Sequence, residues 1–291
     1  MNKTIHTVVD DIYRLMETKE ADESVDVEAE IEKFGEGVKA LMRTEFARDR
    51  KRDTRTLRLS NIGRDDRYLW NVVNGTETAD KIKPHTYVKF MYGHIIEEML
   101  LFLTRMAGHT VTDEQKVCKV EGIKGHMDCK IDGVVTDVKS ASSFGFKKFK
   151  DGTLANDDPF GYIDQIKAYA HDCGETQVGW LTMDKANGHL TYLKYDLENV
   201  ENEKLKEPIV DRVKHIKQLV EGDEPTEYCY DPVPDGKSGN MKLAMGCSYC
   251  QFKEHCYPNM RVFAYSYGPK YLVDVVKEPK VQEVMPDEEG F

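Results

Sequence analysis

The sequence predicts a mixed fold of the α/β or α+β class. Apolar residues at helical spacing occupy two early stretches, a stretch rich in Val and Ile follows, and a third helical stretch and a hairpin come after it. This order of helices, strands, helix and strands is typical of both classes. At 291 residues, the chain is long enough for one main core with extensions, because single cores stop growing at roughly 250–300 residues.

Two helices are predicted before the first strands. Apolar residues recur at helical spacing over 27–51, which indicates an amphipathic helix after an acidic N-terminal tail that we expect to be mobile. Another helix is predicted from Pro84 to Gly108, where glycine can adopt the left-handed conformation that often ends a helix. The composition from Thr110 to Ser140 predicts strands joined by tight hairpins.

The later elements alternate between helix and hairpin. Residues 160–174 have a helical pattern that ends at a glycine. Residues 176–195 are typical of a hairpin with Asn187-Gly188 at its turn. A polar helix is predicted over about 199–221, before a cysteine-rich tail.

The composition is that of a soluble globular protein. It has 40% apolar and 32% charged residues, and no run approaches the roughly 18 apolar residues that a membrane span requires. The N-terminus has no apolar run followed by a small-residue cleavage site, so we expect a cytoplasmic protein. Seven cysteines in a reducing compartment favour buried thiols and a metal site over a disulfide framework.

The charge is unevenly distributed along the chain. The formal net charge is −11, and residues 1–36 hold four Lys or Arg against eleven Asp or Glu. By contrast, residues 43–67 hold nine basic and five acidic residues, and FGFKKFK at 144–150 interleaves three lysines with three phenylalanines. Such basic segments allow DNA binding in spite of the net acidity, although they are also typical of solvated faces.

Two carboxylates are predicted to face each other across a hairpin. If residues 132–133 form a two-residue turn, Asp128 lies directly opposite Asp137, and alternation puts His126 and Lys139 on the same face. Opposed carboxylates repel each other, and a bound divalent cation is the usual reason for a protein to keep such a pair. In the alternative interpretation, the carboxylates accept hydrogen bonds from backbone amides.

The preceding helix offers a third carboxylate. Glu97 lies one helical turn after Gly93 and shares its face, whereas Glu98 is expected to stack on His94. Two adjacent glutamates in an otherwise apolar helix are costly to bury without a partner. Since Mg²⁺ takes oxygen ligands and commonly binds through one or two carboxylates and substrate phosphate, Glu97 is a candidate third ligand. Alternatively, one of the two glutamates points to solvent.

Four short motifs occur in a characteristic order. They are GHIIEEM at 93–99, GHMD at 125–128, DVKSAS at 137–142 and QIKAY at 165–169. Together they resemble the PD-(D/E)XK nuclease superfamily, in its RecB-like and phage exonuclease branch. The resemblance implies a restriction-endonuclease-like core with a mixed central β-sheet flanked by helices, Mg²⁺ or Mn²⁺ as the cofactor, and hydrolysis of phosphodiester bonds in DNA.

The resemblance also implies roles for individual residues. Asp128 and Asp137 would hold the metal, with Glu97 as a direct or water-mediated ligand. Lys139 would orient the attacking water or stabilise the charge that develops on the phosphate. These four residues are the predicted catalytic set.

Four further residues are predicted to bind DNA. Gln165 and Tyr169 lie one helical turn apart, in the motif by which the RecB-like branch contacts DNA near the scissile phosphate. The alternative is an amphipathic helix whose tyrosine only packs. Lys147 and Lys148 belong to the 144–150 segment, which we expect to be a loop that holds the phosphate backbone.

The C-terminal cysteines predict a second metal site. Cys247, Cys250 and Cys256 have the spacing C-x2-C-x5-C, which brings three thiolates together. This tail resembles the one that completes an iron–sulfur cluster in AddB-type and CRISPR adaptation nucleases. Those proteins take a fourth cysteine from a segment before the nuclease core, but the matching stretch here, 59–70, has acidic residues in its place.

The fourth ligand and the metal therefore stay open at this stage. Cys229 is the favoured fourth ligand, ahead of Cys118 and His255. Zn²⁺ competes with a 4Fe–4S cluster, because sulfur-rich sites suit both, and three simply buried thiols are a further alternative. Cys129 and Cys173 are expected to be packing residues.

The sequence as a whole predicts a DNA exonuclease or end-processing nuclease of phage, recombination or repair type. We expect DNA with a free end or a single strand as the substrate, a recombination or replication protein as a partner, and no membrane. The rivals are a non-catalytic nucleic-acid-binding or assembly factor, and a structure-specific endonuclease. The predicted domains are an N-terminal helical extension with a basic segment (1–84), a nuclease core (85–225) and a cysteine-rich segment packed on the core (226–291).

Overall fold

The computed structural model describes residues 3–47, 55–75 and 84–284. The chain divides into two compact units. Of the described residues, the first unit contains 3–47, 57–63 and 84–215, and the second contains 55–56, 64–75 and 216–284. Segment 64–75 thus belongs with the C-terminal residues, whereas the sequence prediction kept it in the N-terminal extension.

The secondary structure alternates between helices and strands. The helices are α1 (Val8–Thr18), α2 (Val27–Glu45), α3 (Asp66–Asn74), α4 (Pro84–Met106), α5 (Ser143–Lys150), α6 (Tyr162–Cys173), α7 (Glu203–Lys206), α8 (Ile209–Leu219), α9 (Met245–Ser248) and α10 (Lys253–Cys256). The strands are β1 (Val111–Thr112), β2 (Lys116–Val120), β3 (Ile123–Met127), β4 (Cys129–Ile131), β5 (Val134–Ala141), β6 (Gln177–Asp184), β7 (Leu190–Asp196), β8 (Val233–Pro234), β9 (Met241–Lys242), β10 (Arg261–Tyr265), β11 (Gly268–Asp274) and β12 (Glu283–Val284).

A mixed five-stranded sheet forms the centre of the first unit. Its strand order is β1-β4-β5-β6-β7, with β5 and β6 parallel and the other neighbours antiparallel. Helices α4, α5 and α6 all contact β5, and residues 134–138 of that strand are all buried. The expected α/β fold, with a mixed central sheet flanked by helices, is confirmed.

The central hairpin has the predicted register. Ile131 pairs with Val134, and Cys129 pairs with Thr136. The chain departs from the expected pattern at Asp128, which lies between β3 and β4, because β3 pairs with β2 in a separate two-stranded sheet. Met127, at the end of β3, contacts Cys173 of α6, at 3.9 Å between the sulfurs.

The N-terminal residues are a helix and not a mobile tail. A short 3-10 helix, Ile5–Thr7, leads into α1. Ile5, Val8, Ile12 and Leu15 are buried in a hydrophobic cluster with residues of α4 and of strands β4, β5 and β6. These residues recur every three or four positions, so they form one face of the helix, and burial of that face fixes the segment on the sheet.

Most of the other predicted helices are confirmed in altered lengths. The helix predicted over 27–51 ends at Glu45, and 48–51 lie outside the described residues. The helix predicted over 199–221 is divided into α7 and α8 at Pro208, where the missing amide hydrogen interrupts the helical hydrogen bonds. No helix within the described ranges is long and apolar enough to cross a membrane.

The second unit contains a sheet that the sequence did not predict. Its strand order is β12-β10-β11-β9-β8, all antiparallel. Leu243, Cys247, Val262 and Tyr271 form its buried cluster. The cysteine-rich tail is therefore part of a small folded unit with its own core.

Candidate active site

The two predicted acids meet at strand β5. Asp137 lies in the middle of β5 and is only 1% exposed. Asp128 lies just before β4, and its Oδ2 accepts a hydrogen bond of 2.8 Å from the backbone N–H of Val138. The hairpin register therefore places Asp128 beside the strand that carries Asp137, as predicted, and the amide contact of the alternative interpretation is present as well.

Lys139 pairs with one of these acids. Its Nζ lies 2.7 Å from Oδ2 of Asp137 and 4.8 Å from the centre of the Tyr162 ring. Burial opposes the charged form of this lysine, but the carboxylates of Asp137 and Asp128 outweigh burial and raise the pKa of Lys139. Lys139 is therefore a positive charge held at the acid pair.

The two carboxylates are held in an environment that resists their ionisation. Burial, then the charge of Asp137, then that of Glu97 raise the pKa of Asp128 well above its usual range. Burial also raises the pKa of Asp137, although Lys139 acts in the opposite direction. A bound cation would supply the compensation that a single lysine does not give to both acids.

Glu97 and Glu98 point to different surroundings. Glu97 accepts a hydrogen bond of 2.8 Å from Nε2 of Gln115, and its Oε2 lies 3.8 Å from Nδ1 of His94. The side chain of Glu98 lies against Gly37 of α2, where a Cβ would come within 2.5 Å of the carboxylate. His94 therefore approaches Glu97, while the expected stacking of Glu98 on His94 stays a prediction.

Helix α6 supplies a glutamine to the acid pair. Nε2 of Gln165 donates a hydrogen bond of 3.0 Å to Oδ1 of Asp137 and lies 3.4 Å from the hydroxyl of Tyr169. Gln165 is 7% exposed and Tyr169 is 1% exposed. The structure thus joins both residues to the acids through one hydrogen-bonded chain, with Tyr169 behind Gln165.

A glycine makes room for this chain. Gly125 of β3 lies so close to Tyr169 and Leu59 that a Cβ on it would be 3.0 Å from Cε1 of the tyrosine and 2.7 Å from the Cβ of the leucine. A side chain at Gly125 would therefore displace Tyr169 or the segment of Leu59.

The basic segment at 144–150 is a helix, α5, and not the expected loop. Ser142 caps it by accepting a hydrogen bond from the N–H of Gly145, and the buried rings of Phe146 and Phe149 fix one face. Lys148 is committed to Asp157, at 2.6 Å, whereas Lys147 is exposed. Of the two predicted DNA-binding lysines, Lys147 thus has the more accessible charge.

One residue that positions the site was missed in the sequence. The carboxylate of Asp158 accepts hydrogen bonds of 2.9 and 2.8 Å from the N–H groups of Tyr162 and Ile163, at the start of α6. Its charge also contributes to the raised pKa of Asp137. An aspartate a few residues before a helical pattern is a capping signal, so this residue could have been found from the sequence.

The acid set suits a hard divalent cation. Glu97, Asp128 and Asp137 do not all bring an oxygen within 4.8 Å of one another, but Mg²⁺ keeps several waters and needs only one or two carboxylates. Oδ2 of Asp137 is buried, and the ammonium of Lys139 lies 2.7 Å from it. A cation at this carboxylate would therefore lie beside Lys139.

The C-terminal cysteines share one cavity in the second unit. Its walls include Cys229, Cys247, Cys250 and Cys256, together with Asp65 and several tyrosines. Burial and then Asp65 raise the pKa of Cys229 to about 12, and burial and then Cys250 and Cys256 raise the pKa of Cys247 to about 12. Sγ of Cys250 accepts a hydrogen bond of 3.4 Å from the N–H of Phe252.

Comparison with known proteins gives structural likeness at low similarity. No family model and no curated protein matches the sequence. LHK-Exo in complex with dAMP is similar at 13% identity and a TM-score of 0.37, over 58% of this chain and 91% of that one. The structure of an alkaline exonuclease (LHK-Exo) from Laribacter hongkongensis is similar at 11% identity and a TM-score of 0.30, over 55% and 91%. SSO0001 is similar at 14% identity and a TM-score of 0.40, over 74% and 92%. At these identities and TM-scores, the likeness assigns no activity to this chain.

Proposed function

We propose that this protein is a divalent-metal-dependent DNA nuclease with Glu97, Asp128, Asp137 and Lys139 at its reaction centre. The observation that carries the proposal is the pair of carboxylates at β5, whose pKa values are raised by burial and by neighbouring acids. Such an arrangement costs folding stability. A bound divalent cation would offset this cost, which gives the pair a chemical purpose.

Each residue has a distinct part in this proposal. Asp128 and Asp137 would hold Mg²⁺ or Mn²⁺, with Glu97 as a direct or water-mediated ligand, and the bound ion would polarise the phosphate and acidify a water. Lys139 orients the attacking water or stabilises charge on the phosphate. Gln165 fixes the orientation of Asp137 through its 3.0 Å hydrogen bond, and Tyr169 supports Gln165 from behind.

The proposed substrate is DNA with a free end or a single strand, as the resemblance to the RecB-like and phage exonuclease branch implies. Lys147 is exposed on α5, and the ring of Phe144 on the same helix is 68% exposed. Exposed lysines contact phosphates and exposed rings stack on bases, which supports binding of an unpaired strand here. Processing of DNA ends in phage replication, recombination or repair, with a protein of that machinery as a partner, is the role that we propose.

We also propose a metal at the four C-terminal cysteines, with Cys229 in place of the missing upstream cysteine. In a tetrahedral zinc site with Zn–S distances of about 2.3 Å, the sulfurs lie roughly 3.8 Å apart. No three of these cysteines have sulfurs that all lie within 4.8 Å of one another. The wider spacing supports a 4Fe–4S cluster over zinc, because iron and sulfide atoms then separate the ligands. The N–H donor to Cys250 also suits a cluster ligand.

A cleavage assay with matched variants tests the nuclease proposal. Single-stranded and duplex DNA, labelled and blocked at either end, would be incubated with and without Mg²⁺ or Mn²⁺. We expect metal-dependent loss of label only from unblocked ends, no activity for Glu97→Gln, and near-normal activity for Glu98→Gln, whose carboxylate faces α2. Undiminished cleavage in EDTA, or equal activity of the two glutamine variants, would contradict the proposed centre. Cleavage of end-blocked DNA would favour an endonuclease.

A further inference from the structure

A third group of metal-binding side chains lies away from both sites described above. Sγ of Cys118, Sγ of Cys173 and a carboxylate oxygen of Asp172 all lie within 4.8 Å of one another. Cys118 belongs to β2 and is fully buried, whereas Cys173 and Asp172 form the last turn of α6 and are partly or fully exposed. Among the described residues, this is the one such group of three or more His, Cys, Asp or Glu side chains.

The spacing of the three donor atoms suits a small tetrahedral ion. Zinc ligated by sulfur at about 2.3 Å and by carboxylate oxygen at about 2.0–2.2 Å separates its ligand atoms by roughly 3.5–3.8 Å. Because the three donor atoms lie within 4.8 Å of one another, small side-chain rotations are enough to reach that geometry. A hard cation such as Mg²⁺ would not select thiolates, so the donor set favours zinc.

The surroundings of the group support a bound cation. Oδ1 of Asp172 accepts a hydrogen bond of 3.1 Å from the backbone N–H of Lys119, which orients the carboxylate and leaves its other oxygen available. Nζ of Lys116 lies 3.8 Å from Sγ of Cys173, where it would offset the excess negative charge of two thiolates and a carboxylate around one divalent ion. The thioether of Met127 contacts the same sulfur at 3.9 Å.

We propose that Cys118, Asp172 and Cys173 form a zinc site with one open position that joins β2 to the C-terminal end of α6. Both thiols release their protons to the solvent when zinc binds, and a water completes the tetrahedron on the exposed side. A disulfide between the two cysteines would not involve the carboxylate, whereas a metal uses all three donors. Because α6 also carries Gln165, zinc would brace the helix that reaches the acid pair.

Metal counting on the full-length chain tests this site. Wild type and the variants Cys118→Ser, Cys173→Ser and Cys129→Ser would be purified anaerobically under reducing conditions, equilibrated with zinc and measured by elemental analysis. Cys129 is as fully buried as Cys118, so Cys129→Ser is the matched control. We expect both other variants to hold one zinc fewer per chain than wild type and Cys129→Ser. Metal at the C-terminal cysteines is common to all four proteins and cancels in the comparison.

A further variant tests the site even if Cys118→Ser fails to fold. Asp172→Asn changes an exposed side chain and should weaken zinc binding by at least about tenfold. Even substitutions of residues that only contact a metal ligand typically lower metal affinity by about that factor. Cobalt should show thiolate-to-metal charge-transfer absorption that is weaker in Cys173→Ser than in wild type and unchanged in Cys129→Ser. Equal zinc in all variants would overturn the proposal, as would recovery of Cys118 and Cys173 from wild type as a disulfide without zinc.

Discussion

The acid pair predicts that Asp128→Asn is more stable than wild type without metal and less stable than wild type with metal. Asp128→Asn removes a charge that is destabilised by burial, Asp137 and Glu97, while the amide oxygen of asparagine can still accept the hydrogen bond from Val138. Without metal, the variant should therefore be more stable than wild type at neutral pH. Relief of a cross-strand like-charge pair contributes about 0.2–1 kcal/mol, which corresponds to a rise in Tm of up to about 4 °C for a unit of this size.

Metal should invert this order. Mg²⁺ at 100 times its Kd stabilises a protein that binds it by about 2.7 kcal/mol, and wild type should gain this stabilisation while Asp128→Asn should not. The sign of the pH dependence follows from the raised pKa of Asp128. In metal-free wild type, the stability associated with this group is present below the unfolded pKa, near 3.8, and is lost as pH rises through the higher folded pKa. The advantage of the variant should therefore shrink towards acid pH.

Thermal melts of wild type, Asp128→Asn and Glu98→Gln, with EDTA and with Mg²⁺, provide the measurement. Burial also raises the pKa of Glu98, so Glu98→Gln should raise the metal-free Tm but keep the response to Mg²⁺. A metal-free Asp128→Asn protein that is less stable than wild type would refute the repulsion argument. A full Mg²⁺ response in Asp128→Asn would refute the metal site itself.

Three further predictions follow from single contacts. Gln165→Ala should lower cleavage activity without unfolding the protein, because it removes a hydrogen bond to Asp137; a protein that unfolds at unchanged specific activity would show a purely structural glutamine. Gly125→Ala should destabilise the protein by about 1–3 kcal/mol in urea unfolding, because its Cβ would overlap Leu59; unchanged stability would contradict the tight packing. Cys250→Ser should lose bound iron and make the C-terminal unit protease-sensitive, whereas Cys129→Ser should keep its iron and its protease resistance. Iron retained in Cys250→Ser would exclude Cys250 as a ligand.

The sequence predicted the parts of the fold that depend on local patterns. The turn at 132–133 set the register of the central hairpin, and the register brought Asp128 to the strand of Asp137. The sequence did not predict the break between β3 and β4 at Asp128. Strand β3 pairs with β2, and the residues of one strand do not show which neighbouring strand it pairs with. A strand that changes partner also changes which face its side chains occupy.

The misses at the two ends of the chain have a common physical origin. The acidic composition of the N-terminus suggested mobility, but four apolar residues at helical spacing are enough to fix α1 in the core. In the C-terminal unit, strands of two to seven residues leave too few alternating positions for a pattern, so the sheet around Leu243 and Val262 was not found.

The assignment of Gln165 and Tyr169 shows why a motif alone does not fix a role. The one-turn spacing put both residues on one side of α6, which was correct, but the same spacing allows contact with a substrate or with the protein interior. Burial distinguishes the two, since Tyr169 is 1% exposed and its hydroxyl lies behind Gln165. Tyr169 then acts on the acid pair through Gln165, so Tyr169→Phe should be milder than Gln165→Ala. The packing that makes α6 part of the core is also what holds Gln165 against Asp137, so core and site are stabilised by the same helix.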